Sequence, residues 1–228
     1  MPVGDILILA GDIVPFAVID KFKDFFDYCS ANFEATYWIP GNHEYYYYDI
    51  ATKSGVLNEN IRSNVHLVNN ISIIQNDIKL IFSTLWSKIQ LTNQWQIEQN
   101  MSDFHVIKHH KNRFTATHYN QLHEECLHFI TSELQNNTQT KSIVVSHHVP
   151  TFLNYPAQYK GSILNEAFAV ELLDLIESIG PDYWVYGHSH SNTNDFKIGK
   201  TSLLTNQLGY VKYKEYKNFS LEKCVEFC

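Results

Sequence analysis

Short, continuous apolar runs ending in glycine, serine or proline alternate along this chain with longer stretches of helical period. Ile6 to Ala10 is the first such run, as expected of a strand buried on both faces. Val18 to Cys29 then places Phe22, Phe25, Phe26 and Cys29 at helical spacing. Ala35 to Ile39 reads as a second buried strand before Pro40-Gly41. A strand–helix–strand unit of this kind predicts a parallel pair. From Val65 to Thr84, Asn69-Asn70 and Asn76-Asp77 punctuate β-rich runs, which predicts antiparallel hairpins. Residues 87 to 114 have poor periodicity and many polar side chains, as in an extended loop or cap with short helices. Thr117 to Leu134 is a helix with Leu122, Cys126, Phe129, Ile130 and Leu134 on one stripe. Ser142 to Val145 is a strand, and Asn165 to Ile179 is a helix that Gly180 and Pro181 stop. Tyr183 to Tyr186 is a strand, and the tail from Phe196 reads as hairpins turning at Gly199-Lys200. No repeat or linker divides the chain, so one domain over residues 1–228 is expected.

Composition narrows the class without naming it. The 228 residues are 44% apolar and 18% charged, ordinary for a globule with room for a core. A net charge of −7 argues against a general nucleic-acid binder, which needs a basic footprint. No apolar stretch approaches the roughly 20 residues that span a bilayer, and the N-terminus shows no secretory pattern, so a membrane role is not expected. Cys29, Cys126, Cys224 and Cys228 lack metal or redox spacing and suit a reducing cytoplasm, with Cys224 and Cys228 able to pair under oxidation. Twelve histidines in a chain without a basic face invite a metal.

The candidate chemistry lies at the ends of the apolar runs: Gly11-Asp12, Gly41-Asn42-His43-Glu44, Ser146-His147-His148 and Gly187-His188-Ser189-His190. Loops beyond strand C-termini are where α/β sheets gather ligands. One carboxylate can bridge two cations, an amide oxygen is a hard neutral ligand, and imidazoles suit Zn, Mn or Fe. The glycines before Asp12, Asn42 and His188 would let the backbone turn sharply and approach metals without a Cβ clash.

In order and chemistry these peptides resemble the calcineurin-like metallophosphoesterases, over nearly the whole chain. Thr84-Leu85-Trp86-Ser87, Met101-Ser102-Asp103-Phe104 and the stretch from Asn206 to Leu208-Gly209-Tyr210 are similar to the small bacterial phosphohydrolase branch. The resemblance implies a four-layer α/β sandwich, two mixed sheets flanked by helices with the metal site at one edge. It implies hydrolysis of a small phosphorylated substrate by metal-activated hydroxide, with two Mn, Zn or Fe ions. Asp12 matches the bridging carboxylate, and Asn42, His147 and His188 the other ligands of the second metal. His190 matches a ligand of the first. His43 matches the histidine that assists the leaving group or binds phosphate, with Glu44 as its orienting partner. His148 is given no role beyond a buried position behind the ligands.

The resemblance has one gap. The family supplies an Asp and a His to its first metal from an Asp-x-His at the end of a first strand, and this sequence has none before Gly11-Asp12. Asp103-Phe104-His105 is the one Asp-x-His present, and its order in the chain disqualifies it as a replacement. The first site then keeps Asp12 and His190, so one metal is expected to bind well and a second weakly or not at all, with hydrolysis impaired. A truncated sequence or displaced start site is the favoured explanation of the gap over a natural loss. The competing class is a non-catalytic metal-binding or interaction protein on the same fold. The sheet is expected to lack its N-terminal strand, with a homodimer, strand exchange or local rearrangement covering the edge. Other features read as structural. Gly199-Lys200-Thr201 lacks the earlier glycine of a phosphate loop, since that position is Asn194. His123-Glu124-Glu125-Cys126-Leu127 misses a zinc-protease helix and reads as a solvated face. His109, His110 and His118 belong to the polar loop surface, Trp86 to core or rim packing, and Tyr45 to Tyr48 to either packing or an aromatic substrate rim.

Overall fold

The computed structural model describes residues 3–139 and 141–227. Two mixed sheets face one another. The first has strand order β1 (Ile6–Leu9), β2 (Ala35–Trp38), β4 (Val65–Asn69) and β3 (Leu57–Arg62), with β1, β2 and β4 parallel and β3 antiparallel at the edge. α1 (Lys23–Asn32) makes the crossover from β1 to β2, as the strand–helix–strand pattern requires. The second sheet runs β11 (Phe196–Ile198), β12 (Thr201–Thr205), β10 (Tyr183–Tyr186), β9 (Lys141–Ser146), β6 (Ile78–Ser83) and β5 (Ile71–Gln75). Its four inner strands are parallel and its two edges antiparallel.

Alternation along the strands builds three apolar layers. Ala35, Tyr37, Val68, Leu80, Phe82, Ile143 and Val145 point into the space between the sheets. Thr36 and Trp38 point the other way, and Trp38 packs with Phe16, Phe26 and Cys29 beside α1. On the far face, Ile81, Val144, Trp184 and Leu203 meet Ile130 and Leu134 of α4 (Ala116–Gln135) and Ile176 of α5 (Leu173–Ile179). Helix, sheet, sheet, helix is the expected four-layer order.

Several local expectations need correction. The helix expected from Asn165 to Ile179 is a 3-10 turn, Ile163–Ala167, followed by α5. Between them the backbone pairs with the loop after β9: Val149 N–H donates to Phe168, Val170 N–H to Val149 and Leu172 N–H to Pro150. That pairing satisfies backbone groups a continuous helix would have satisfied internally, and it fixes the loop carrying His147. Asn69-Asn70 is no hairpin turn. Asn70 has φ +48° where the chain leaves one sheet for the other, and the two side chains accept bonds from Thr84 N–H and the Ser83 hydroxyl. The tail makes one hairpin, β11–β12, and then 3-10 turns. The 87–114 stretch does hold short elements, α2 (Gln94–Asn100), α3 (Asp103–Val106) and the small ladder β7 (Lys108–His109) with β8 (Asn112–Arg113). It also sinks Ile89, Ile97, Phe104, Ile107 and Phe114 into the core. His123 is 2% exposed and bonds the Trp86 carbonyl at 2.6 Å, so that part of the helix is not a solvated face. The pairing considered for Cys224 and Cys228 involves a residue outside those described. Among the described residues no helix is long and apolar enough to cross a membrane.

One turn tests this reading. Gln75 pairs with Ile78 across the two-residue loop Asn76-Asp77, and both loop residues have positive φ, +51° and +63°. That is the two-residue hairpin geometry that favours Asn-Gly. Asp77→Gly is expected to raise the urea midpoint, a gain of about 0.5–1 kcal/mol, whereas an unchanged or lower midpoint would contradict the assigned turn.

Candidate metal centre

The parallel strands β1, β2, β9 and β10 all point their C-terminal ends to one edge where the two sheets meet. There the loops interlock. Thr84 accepts the backbone N–H groups of both His147 and His148 through its carbonyl, and its hydroxyl donates to the Pro40 carbonyl at 2.8 Å. Gly187 N–H donates to the His147 carbonyl at 3.0 Å.

Three of the candidate ligands sit in the left-handed region, Asp12 at φ +60°, His188 at φ +68° and His190 at φ +49°. None is glycine, and such conformations cost about 1–2 kcal/mol each unless the surroundings impose them. For Asp12 the surroundings are visible. The fully buried Glu44 carboxylate accepts from Asp12 N–H (2.8 Å), Ile13 N–H (2.5 Å), Val14 N–H (3.2 Å), Gly41 N–H (2.6 Å) and the Trp38 indole (3.3 Å). Glu44 therefore does not orient His43, as the resemblance implied; its carboxylate is spent on the backbone that carries Asp12. Burial and the adjacent Asp12 push Glu44 up to about 7, while His147 and the amide donors pull down.

The glycines act chiefly by absence of a side chain. A Cβ on Gly11 would collide with the His147 ring, and one on Gly41 with Asp12 Oδ1 and His147. Gly11 alone of the three preceding glycines also needs its positive φ, +89°.

Asp12, His147 and His188 come together with donor atoms mutually within 4.8 Å. Each imidazole is held through its remote nitrogen. His147 Nδ1 donates to the Ala10 carbonyl (2.8 Å) and His188 Nε2 to the Ala167 carbonyl (3.2 Å). In neutral rings this leaves His147 Nε2 and His188 Nδ1 as bare lone pairs, 3.0 Å apart. Asn42 Oδ1 and Asp12 Oδ1 lie 3.2 and 3.4 Å from the same His147 nitrogen. Four acceptors thus face one another in a buried pocket. Repulsion among them is relieved by a cation, and ligand bonds of about 2.05 Å at tetrahedral angles give donor separations of about 3.3 Å. The residues fit a divalent ion. Asp12 Oδ2 is buried with no hydrogen-bond partner and lies 4.0 Å from His43 Nε2.

His190 stands beside the cluster, not within it. Its Nδ1 pairs with Glu215 Oε2 at 3.1 Å, which leaves Nε2 free. Burial lowers its affinity for protons against the pull of Asp12 and Glu215. His43 is partly open to solvent, its ring stacked on Tyr46 at 4.3 Å, with Nε2 4.0 Å from Asp12 Oδ2 and Nδ1 3.5 Å from the Tyr210 hydroxyl. Of the tyrosine run, Tyr45 is core, Tyr46 backs His43 and Tyr47 is exposed. His148 is buried behind the site with Tyr119 on Nε2 (3.0 Å), and so cannot reach a cation. Asp103, Tyr210 and Glu215 border the centre without having been assigned roles. The peptides holding Asp103 and Tyr210 were part of the resemblance, but spacing could not show where they fold.

A family model described as calcineurin-like phosphoesterase matches residues 2–192. A protein of Acanthamoeba polyphaga mimivirus named Uncharacterized protein L509 is 34% identical over an aligned length of 225, and the match covers 90% of this chain and 78% of that protein. The structure of the phosphopantetheinyl hydrolase PptH from Mycobacterium tuberculosis superposes with a TM-score of 0.67, covering 95% of this chain and 83% of that one. At 13% identity, it establishes the shared fold alone.

Two measurements check the site. Glu44→Gln turns an acceptor into a donor facing donors, and is expected to lower stability by about 3 kcal/mol or more in urea unfolding. A loss under 1 kcal/mol would contradict the role given to Glu44. Burial, with His147 alongside, keeps His148 well below the ordinary imidazole range, and burial also lowers His123. Unfolded histidines take up protons below about pH 6.5 while these do not, so stability falls as pH drops from 6.5 toward 5.5, offset in part by Glu44, which is raised to about 7 and takes up its proton first in the folded state. The slope is about 1.4 kcal/mol per unit for each histidine that stays neutral. A flat urea midpoint over that range would refute their burial as neutral rings.

Proposed function

We infer that this chain, which belongs to the calcineurin-like phosphoesterase family, is a metal-dependent hydrolase of a small phosphorylated substrate. The observation that carries this reading is the set of converging acceptors, Asp12 Oδ1, Asn42 Oδ1, His147 Nε2 and His188 Nδ1, with no buried cation of the protein among them. These four residues would hold one divalent ion, Mn, Zn or Fe. Asp12 Oδ2 and the free Nε2 of His190 would contribute to a second. Bound divalent ions supply Lewis acidity toward phosphoryl oxygens and lower the pKa of water.

The chain's own residues do the rest. Glu44 fixes Asp12, while the Ala10 and Ala167 carbonyls fix the tautomers of His147 and His188. His43, backed by Tyr46 and open on its outer side, can present an N–H to a phosphoryl oxygen or pass a proton to the leaving oxygen. Tyr210, 43% exposed beside His43, offers a flat face to the leaving group. The buried thiols of Cys29 and Cys126 suit a reducing cytoplasm, and β1, which pairs only with β2 among the described residues, is the edge a second copy would cover.

A second reading is a metal-binding protein without turnover. It is favoured by the unequal donor sets, four residues for one ion and two for the other. Hydrolysis of p-nitrophenyl phosphate with added Mn²⁺ separates them. Activity that rises with Mn²⁺ and vanishes with EDTA supports the hydrolase. His43→Ala should then cut kcat by about 100-fold while Mn²⁺ affinity holds, and Asp12→Asn should lose both. One retained Mn²⁺ per chain without turnover would overturn the hydrolase in favour of the binding protein.

A further inference from the structure

Asp103 is fully buried, and its hydrogen-bond donors are neutral; the His43 imidazole acts on it only through space. Its Oδ1 accepts from Asn42 Nδ2 at 2.9 Å and from the Tyr46 hydroxyl at 2.8 Å, while Oδ2 is buried without a partner. Burying a carboxylate on two neutral donors is costly, so the arrangement calls for a reason beyond packing. His105, two residues on, is exposed and bonds the Gln99 carbonyl at 3.1 Å, so this Asp-x-His does not act as a pair of ligands.

The reason lies in the chemistry of an amide. A half-turn about the Asn42 side-chain bond exchanges its oxygen and nitrogen with little change of shape. Only the oxygen can ligate a cation. Asp103 Oδ1, which already accepts the Tyr46 hydroxyl, meets Asn42 as an acceptor, and an acceptor there is compatible with one of the two orientations. It is the one that turns Asn42 Oδ1 to 3.2 Å from His147 Nε2. Tyr46 bonds the same Asp103 oxygen and stacks on His43, so one carboxylate oxygen anchors both the amide ligand and the ring behind His43.

We propose that Asp103 is a positioning residue that locks the Asn42 amide with its oxygen toward the cation. The inference rests on the metal-centre reading above. A partner of this kind is worth about 10–100-fold in metal affinity.

Titration calorimetry with Mn²⁺ alone, on wild type, Asp103→Leu, Asn42→Ala and the double variant, tests it. Asp103→Leu keeps the branched shape and the number of heavy atoms and removes the acceptor, and is expected to weaken Mn²⁺ binding about 10–100-fold. In the Asn42→Ala background the same change should add less than about threefold, because the amide through which Asp103 acts is gone. A folded Asp103→Leu that binds Mn²⁺ like wild type overturns the proposal. So does a further tenfold loss on top of Asn42→Ala, which would mark a merely structural role. Should Asp103→Leu not fold, the Asn42 side-chain amide signals of wild type decide, assigned by their loss in Asn42→Ala. Slowly exchanging, well-separated protons support the lock, and protons exchanging as fast as in exposed asparagines refute it. Wild type that binds no Mn²⁺ sinks the metal-centre reading and this inference together.

Discussion

The buried Glu44 carboxylate is the constraint on which the rest of the site depends. It gathers the backbone N–H groups of Asp12, Ile13 and Val14 from the loop after β1 and that of Gly41 from the loop after β2. Those donors would otherwise be orphaned at two strand ends. Satisfying them with one side chain clamps two loops of the first sheet at a fixed separation. Asp12 is held at φ +60° by that clamp, and its carboxylate is thereby aimed across the edge at residues from the second sheet. Each desolvated N–H left unpaired would cost about 1–3 kcal/mol, so the clamp also supplies stability that the strained backbone consumes.

The second sheet answers with rings that are already oriented. His147 reaches over to the Ala10 carbonyl, and His188 is tied to Ala167. Because each proton is committed outward, lone pairs are left pointing inward, and Gly11 and Gly41 leave the space for His147. The result is a pocket rich in acceptors and poor in donors. That pattern stores repulsion in the protein alone and favours whatever cation relieves it. Fold and affinity are therefore two sides of one arrangement: the backbone bonds that stabilise the loops are the ones that position the ligands.

Much of this was legible in the sequence, and the reason is physical. Apolar runs ending in Gly-Asp, Gly-Asn-His, Ser-His-His and Gly-His-x-His announce strand ends carrying ligand-type residues, and short local patterns survive folding. What the sequence hid were long-range bonds. Glu44 stands beside His43 in the chain, so adjacency suggested a partnership, yet its carboxylate turns to backbone more than thirty residues away. The helix read from Asn165 to Ile179 has good periodicity, but pairing of Val149 with Val170 overrides it. His123 looked solvated among Glu124 and Glu125, and one buried carbonyl, that of Trp86, draws it in. Asp103 lay in a segment without period, where only the folded chain shows that its neighbour is Asn42.

The central claim is that four side chains from four loops form a single cation pocket. Anomalous X-ray diffraction from crystals soaked in Mn²⁺ tests it most directly. A peak is expected about 2.0–2.3 Å from His147 Nε2, His188 Nδ1, Asn42 Oδ1 and Asp12 Oδ1. No peak there, or a peak held instead by the surface histidines His109, His110 and His118, would contradict it.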